Sequence, residues 1–347
     1  MGDFSSGLLT DLLRQVSRSF YLTLRVLPAA IRPQIGLAYL LARTSDTIAD
    51  TPIVAPDGRL QALQSLRDRI LGDSTEPLDF GELARQQDSP AEWSLLQRIE
   101  ESLALLERFA AEDRLRIREV LAIIIGGQQL DLKRFAEASR ERIVSLNSDD
   151  ELDDYTYRVA GCVGDFWTKM CRAHLFPDAP LDDEWLRAGG VRFGKGLQLV
   201  NILRDLPRDL RQGRCYLPSV RLWSIGLAPF DLLEPTNVAK LRPVYDLYLA
   251  RAEEHLSAGW HYTNALPRSQ ARVRLACAWP LLIGLKTLEK LRAGNVLAPE
   301  LPIKINRSEV RSILLRTVLY YPWAPAWERL VALPEPGNKV DSQAFFS

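Results

Sequence analysis

Two pairs of aspartates, each spaced one helical turn apart, are the residues here best suited to chemistry. In "RTSDTIAD", residues 43 to 50, Arg43, Asp46 and Asp50 fall on one stripe of a helix. Leu37, Leu41, Thr44 and Ile48 make a second, mostly apolar stripe suited to a core. Carboxylates at that spacing reach one ion together. An all-oxygen donor pair suits Mg2+, which keeps waters and bridges carboxylates to phosphates, and Arg43 then faces the phosphate oxygens. One pair is a weak signal, because "DDELDD" at 149 to 154 also places acids four apart. The second pair lies in "GLQLVNILRDLPRDLRQGRCYLP", residues 196 to 218. There Gln198, Asn201, Asp205 and Asp209 form a polar stripe beside Leu199, Ile202, Leu203 and Leu206. Amides and carboxylates inside an apolar helix need partners. Arg204, Arg208, Arg211 and Arg214 follow closely enough to neutralise a diphosphate. Pro207 removes a helical hydrogen bond between the two acids and predicts a kink there.

Two acidic helices facing each other repel unless cations lie between them. With Mg2+ and a diphosphate the charges balance. The chemistry so served is ionisation of an allylic diphosphate: metals and arginines stabilise the leaving group, and an apolar tunnel keeps water from the carbocation.

The elements that must hold these residues read as helices throughout, with no clear alternating strand pattern. Helical periodicity runs over about 6–26, 31–51, 58–71, 91–110, 112–140, 150–175, 182–212, 236–265, 268–293 and 307–320, punctuated by Pro and Gly clusters such as "PIVAPDG" and "FPDAPLDD". No linker or repeat divides the 347 residues, so we expect one all-α domain with its core over about 6–322 and a flexible tail at 332–347. Forty-four acids balance 44 bases, which excludes a bulk polyanion or nucleic-acid partner. Three histidines without H-E-x-x-H leave little for a zinc or Ser-His-Asp hydrolase. Four cysteines without C-x-x-C, and no secretory leader, favour reduced thiols in a cytoplasmic protein. The longest charge-free apolar run, "LACAWPLLIGL" at 275 to 285, is short of the roughly 20 residues a membrane span needs. No transmembrane segment is expected; peripheral membrane association stays open, and we expect a monomer. Trp323 and Trp327 read as packing residues. Ala160, Gly161 and Gly164 suit either close helix packing or room for a prenyl chain.

Six fragments in order resemble the squalene/phytoene synthase family over roughly residues 15 to 310: "SRSF" (17–20), "RTSDTIAD", "GQQLDLKRF" (127–135), "YTYRVAGCVG" (155–164), "QLVNILRDLPRD" (198–209) and "GRCYLP" (213–218). The resemblance implies an all-α isoprenoid synthase fold that joins two prenyl diphosphates head to head through a cyclopropyl diphosphate. By motif it makes Asp46, Asp50, Asp205 and Asp209 metal-binding acids, with Asn201 beside them. Ser17, Arg18, Arg43, Gln198, Arg204 and Arg214 would grip diphosphate, and Tyr155 would be the catalytic tyrosine. Thr47 follows the squalene synthase pattern, where phytoene and dehydrosqualene synthases carry a second acid. "KINR" resembles a basic patch for NADPH, making Lys304 and Arg307, with Arg18, Arg43 and Arg204, cofactor contacts. Asn306 interrupts that patch, and Ala49 stands where eukaryotic squalene enzymes have a third acid. The expectation is a Mg2+- and NADPH-dependent squalene synthase using two farnesyl diphosphates. A phytoene or dehydrosqualene synthase, an enzyme stopping at presqualene diphosphate, and a non-catalytic assembly factor on this fold are the alternatives.

Overall fold

A computed structural model describes residues 7–17, 20–51, 53–298 and 303–331; Arg18 and the 332–347 tail lie outside them. Numbering only the helices that position the site, these are α1 (Arg32–Ala49), α2 (Pro56–Leu71), α3 (Ala111–Arg134), α4 (Asp149–Thr156), α5 (Cys162–His174), α6 (Asp183–Arg211), α7 (Val238–Ala265), α8 (Ala271–Ala293) and α9 (Arg307–Tyr320). The central helix is α6, flanked by α5, α7 and α8, while α1 and α3 pack on each other. One continuous apolar cluster runs through the bundle, from Leu8 to Val331. Burial of that surface is the main stabilising term. No helix among the described residues is long and apolar enough to cross a membrane.

The apolar stripe of α1 behaves as its spacing predicts: Leu37, Leu41, Thr44 and Ile48 are all buried. The helix starts with a proline in its first turn and stops at Asp50, whose N–H reaches Asp46 O. Asp182 caps α6, its side chain accepting from Trp185 N at 3.0 Å. The kink expected at Pro207 does not end α6, which runs on to Arg211. Proline leaves the carbonyl four residues back without its helical donor. That carbonyl, Leu203 O, accepts instead from the buried hydroxyl of Tyr245 on α7 at 2.8 Å. A tertiary contact therefore replaces the missing backbone bond.

Between α4 and α5 the chain makes one wide π-type turn, Tyr157–Gly161, a feature common at functional sites. The small residues around it serve close packing. A Cβ on Gly164 would sit 1.9 Å from Gly190 O, and one on Gly194 would sit 2.1 Å from Ala160 O. So α5 and α6 touch backbone to backbone, and larger side chains are excluded there.

Sequence reading missed a small sheet among the described residues, a parallel pair of two-residue strands, β1 (Val144–Ser145) and β2 (Arg214–Cys215). They are too short to show alternation. They fasten the segment leaving α6 to the one entering α4, through Val144 N to Gly213 O at 2.8 Å and Leu146 N to Cys215 O at 3.1 Å. Gly213 has φ +82°, and its Cβ would meet Ser139 N at 2.4 Å, so the turn requires glycine.

Candidate active site

Both aspartate pairs lie at the C-terminal ends of their helices, α1 and α6. There the helix dipole is negative and unpaired carbonyls cluster, so an anion is disfavoured and a cation welcome. A fold that gained only stability from these positions would carry lysine or arginine there. Instead four carboxylates open onto one cavity of about 780 Å3, within the ~300–1,000 Å3 typical of small-molecule sites. Asp46, Ala49 and Asp50 come from α1 and its end, Gln128 and Asp131 from α3, and Tyr155 from α4. From α6 come Gln198, Asn201, Asp205, Arg208 and Asp209, and from β2 and the next residue Arg214 and Tyr216. Ile124, Leu132, Phe135, Val159, Val163 and Ile202 supply apolar wall.

Burial, then the neighbouring Asp50, pushes the Asp46 carboxyl up to about 6, against the opposing pull of Arg43 and Gln128. Burial, then Asp205, pushes Asp209 up to about 7, although Arg208, Arg214 and Arg204 oppose it. Asp131 is held up to about 6, chiefly by burial. The acids of "DDELDD" show the contrast. Asp149 meets Arg221, Arg251 and Tyr248, Asp153 meets Lys195, and Asp154 meets Arg158. Those acids are neutralised within the fold; of the four cavity aspartates Asp46, Asp50, Asp205 and Asp209, only Asp205 forms an ion pair among the described residues, with Arg204.

Several expected contacts lie elsewhere. Arg43 points to Glu92 on the helix Pro90–Gln97 and does not line the cavity. Arg204 is held by its neighbour Asp205 at 2.7 and 2.8 Å. Ser17 Oγ is buried without a hydrogen-bond partner among the described residues. Thr47 is buried and donates to Arg43 O at 2.9 Å, facing the core rather than the cavity. Asn306, which seemed to interrupt a basic patch, caps α9 by accepting from Glu309 N at 2.8 Å. Lys304 and Arg307 are exposed beside that cap and outside the cavity lining.

The structure also adds residues to which we assigned no role. Gln128 Nε2 donates to Asp46 Oδ1 at 2.5 Å, leaving its own Oε1 buried and without a partner. Tyr216 stacks on Tyr155 with ring centroids 4.5 Å apart. Arg59, at the start of α2, donates to Ala49 O at 2.7 Å, and burial, then nearby Arg214, holds its guanidinium below the usual range. Gln128, Asp131 and Tyr216 lay inside quoted fragments; nothing local to Arg59 marked it.

The donor set suits a hard cation. All the donors are oxygens, burial raises Asp46 and Asp209 against the nearby arginines, and Gln128 Oε1 is buried without a partner. Among the described residues no three acidic, His or Cys side chains close into a complete metal cage.

Comparison with known proteins shows the family and the fold. The squalene/phytoene synthase family model matches residues 13–307. Presqualene diphosphate synthase of Zymomonas mobilis is 30% identical, the match covering 86% of this chain and 89% of that enzyme. Squalene synthase of Schizosaccharomyces pombe is 26% identical over 89% of this chain and 64% of its own length. Among solved structures, TcSQS in complex with a ligand superposes with a TM-score of 0.74 at 19% identity, covering 90% of this chain and 86% of that one. Squalene synthase HpnC from Alicyclobacillus acidocaldarius gives 0.59 at 20% identity, covering 84% and 94%. These likenesses place the bundle in the all-α isoprenoid synthase fold.

Proposed function

The chain belongs to the squalene/phytoene synthase family of head-to-head prenyl synthases, and from that premise we propose that it couples two farnesyl diphosphates into presqualene diphosphate with the help of Mg2+. The observation that carries the reading is the opening of both aspartate pairs onto one cavity whose remaining wall is apolar and aromatic. Asp46 and Asp50 on one side, and Asn201, Asp205 and Asp209 on the other, would hold Mg2+. Bound there, Mg2+ neutralises the charge that develops on a departing diphosphate. Arg208 and Arg214 line the same cavity, and Gln198 adds an amide within reach of phosphate oxygens. Gln128 fixes the orientation of Asp46. Val159, Val163, Ile124 and Ile202 exclude water from the carbocation, and Tyr155 stands among them.

The second reading continues from presqualene diphosphate to squalene with NADPH. Lys304 and Arg307 favour it, since neither has a carboxylate partner among the described residues and both are free to meet a phosphate. The other expected cofactor contacts fit less well: Arg43 and Arg204 are engaged by Glu92 and Asp205. Thr47 carries no weight for either product, because it faces the core. A purely structural role gains no support, since carboxylates disfavoured by burial and by the helix dipole cost stability and return none. Purified protein with farnesyl diphosphate and Mg2+, with and without NADPH, decides the matter by mass spectrometry. Presqualene diphosphate in both samples supports the main reading. Squalene appearing only with NADPH supports the second, and neither product sinks both.

A further inference from the structure

Three cavity residues from three separate elements form a chain of hydroxyl and carboxyl groups. The ring of Tyr155 lies on that of Tyr216 at 4.5 Å and 28°, which sets the two phenols side by side. Tyr216 donates to Asp131 Oδ2 at 3.1 Å. Phe135 packs edge-on against Tyr216 at 5.3 Å, which holds the stack in place. The second oxygen of Asp131, Oδ1, is buried and has no partner.

We propose that Tyr155, Tyr216 and Asp131 form a proton relay, with Asp131 as the terminal base that receives the proton lost when the cyclopropane ring closes. The inference rests on the function proposed above. In that reaction the ionised donor loses diphosphate, and its C1 bonds to the acceptor's double bond, leaving a tertiary cation. A C1 proton then departs, and the C–H electron pair closes the three-membered ring. The proton goes to the Tyr155 oxygen as Tyr155 passes its own to Tyr216 and Tyr216 passes its own to Asp131. The carbocation and the carboxylate become a neutral cyclopropane ring and a carboxylic acid, the acceptor's diphosphate being unchanged, so charge and atoms balance.

The surroundings explain why a relay is needed. Burial, then the charge of Asp131, holds the Tyr155 hydroxyl protonated well above the usual phenol range, with Asp209 adding to this and Arg214 opposing it. Tyr216 is held up likewise by burial and by Tyr155. A phenol that stays neutral accepts a proton only while giving one away, and Asp131 is the outlet. Burial raises Asp131 to about 6, against Arg214, the Tyr216 hydrogen bond and Arg134, with Asp50 adding to the rise. It is therefore ionised near neutrality yet more basic than an ordinary carboxylate, as a general base should be.

Tyr216→Phe tests the relay, because it keeps the ring stack and removes only the link. With farnesyl diphosphate and Mg2+, we expect kcat for the cyclopropyl product to fall about 100-fold. KM should stay within about twofold. Allylic alcohols and simple elimination products should increase. Asp131→Asn should lose the same activity and Asp131→Glu recover part of it. A Tyr216→Phe enzyme with wild-type rate overturns the relay. So does a slow variant whose products stay in wild-type proportions, since that marks a merely structural role. Wild-type protein that makes no cyclopropyl product overturns the functional reading itself, a result distinct from either.

Discussion

Two regions of the molecule enclose cavities of similar size, about 780 Å3 between the aspartate helices and about 850 Å3 beside the C-terminal aromatic cluster. Both bury charge, and they treat it in opposite ways. In the second, Arg274 is only 7% exposed, with its guanidinium 5.5 Å from the Trp327 ring and 5.7 Å from that of Tyr321. It donates to Asn264 Oδ1 at 2.6 Å, which also accepts from Trp327 Nε1 at 2.7 Å, and Trp260 stacks on Trp327. Aside from its unpartnered Nε, this arginine is spent inside the protein, tying the short helix Ala324–Glu328 to α7 and α8. In the first cavity burial and a neighbouring acid raise Asp46 and Asp209, and the Gln128 and Asp131 side chains each leave a buried oxygen without a partner. A buried charge satisfied from within is scaffold; one left over marks where a ligand completes the fold.

The comparison predicts opposite consequences for neutralising each region. Asp46→Asn or Asp205→Asn should lower turnover by at least roughly 100- to 1,000-fold. The Asp46→Asn metal-free protein should melt higher than wild type, because a disfavoured charge is gone. A lower melting point together with wild-type turnover would invert the assignment. Arg274→Met should do the reverse: a loss of about 1–3 kcal/mol in denaturant unfolding with kcat nearly unchanged.

Titration sharpens the contrast. Asp46 and Asp131 near 6 and Asp209 near 7 all sit above their ordinary value of 3.8. Between about pH 4 and 7 the native state therefore binds more protons than the unfolded one, and stability falls as pH rises through that window. Metal-free protein should accordingly melt higher at pH 5 than at pH 8 in a thermal-shift series. Mg2+ with inorganic diphosphate should raise the melting point most at pH 8, where no proton competes for the carboxylates. A flat series would mean that the acids are compensated after all.

Gln128→Ala tests the orientation of Asp46 alone, with a roughly 10-fold weaker Mg2+ dependence of the rate expected. The smallest effect belongs to Asn306→Ala, about 1 kcal/mol from the lost cap of α9; a far larger loss would show that the segment does more than start a helix.

Helical spacing alone placed Asp46 with Asp50 and Asp205 with Asp209, and the apolar stripes of α1 and α6 told which faces are buried. The amide stripe at Gln198 and Asn201, which lines the cavity, was legible for the same reason. Arginine roles were not. Whether Arg43 meets a phosphate or Glu92 depends on a helix about 50 residues away in the chain, and no local pattern carries that. Trp323 and Trp327 look alike in sequence, yet Trp323 is 66% exposed and Trp327 is 3% exposed beside Arg274. Ala160, Gly161 and Gly164 fitted either packing or a tunnel until Gly190 and Gly194 were seen against them.

By itself, then, the sequence determined an all-helical chain with two acidic helix ends, because those features follow from local periodicity and from the chemistry of each side chain. Only the tertiary structure decided which charges remain uncompensated, since that depends on partners far apart in sequence. It turned both acidic ends onto one cavity, stacked Tyr216 on Tyr155 and gave Asp131 its single hydroxyl partner. It also supplied Tyr245 to the carbonyl that Pro207 leaves without a donor, which let α6 run unbroken through its second aspartate pair.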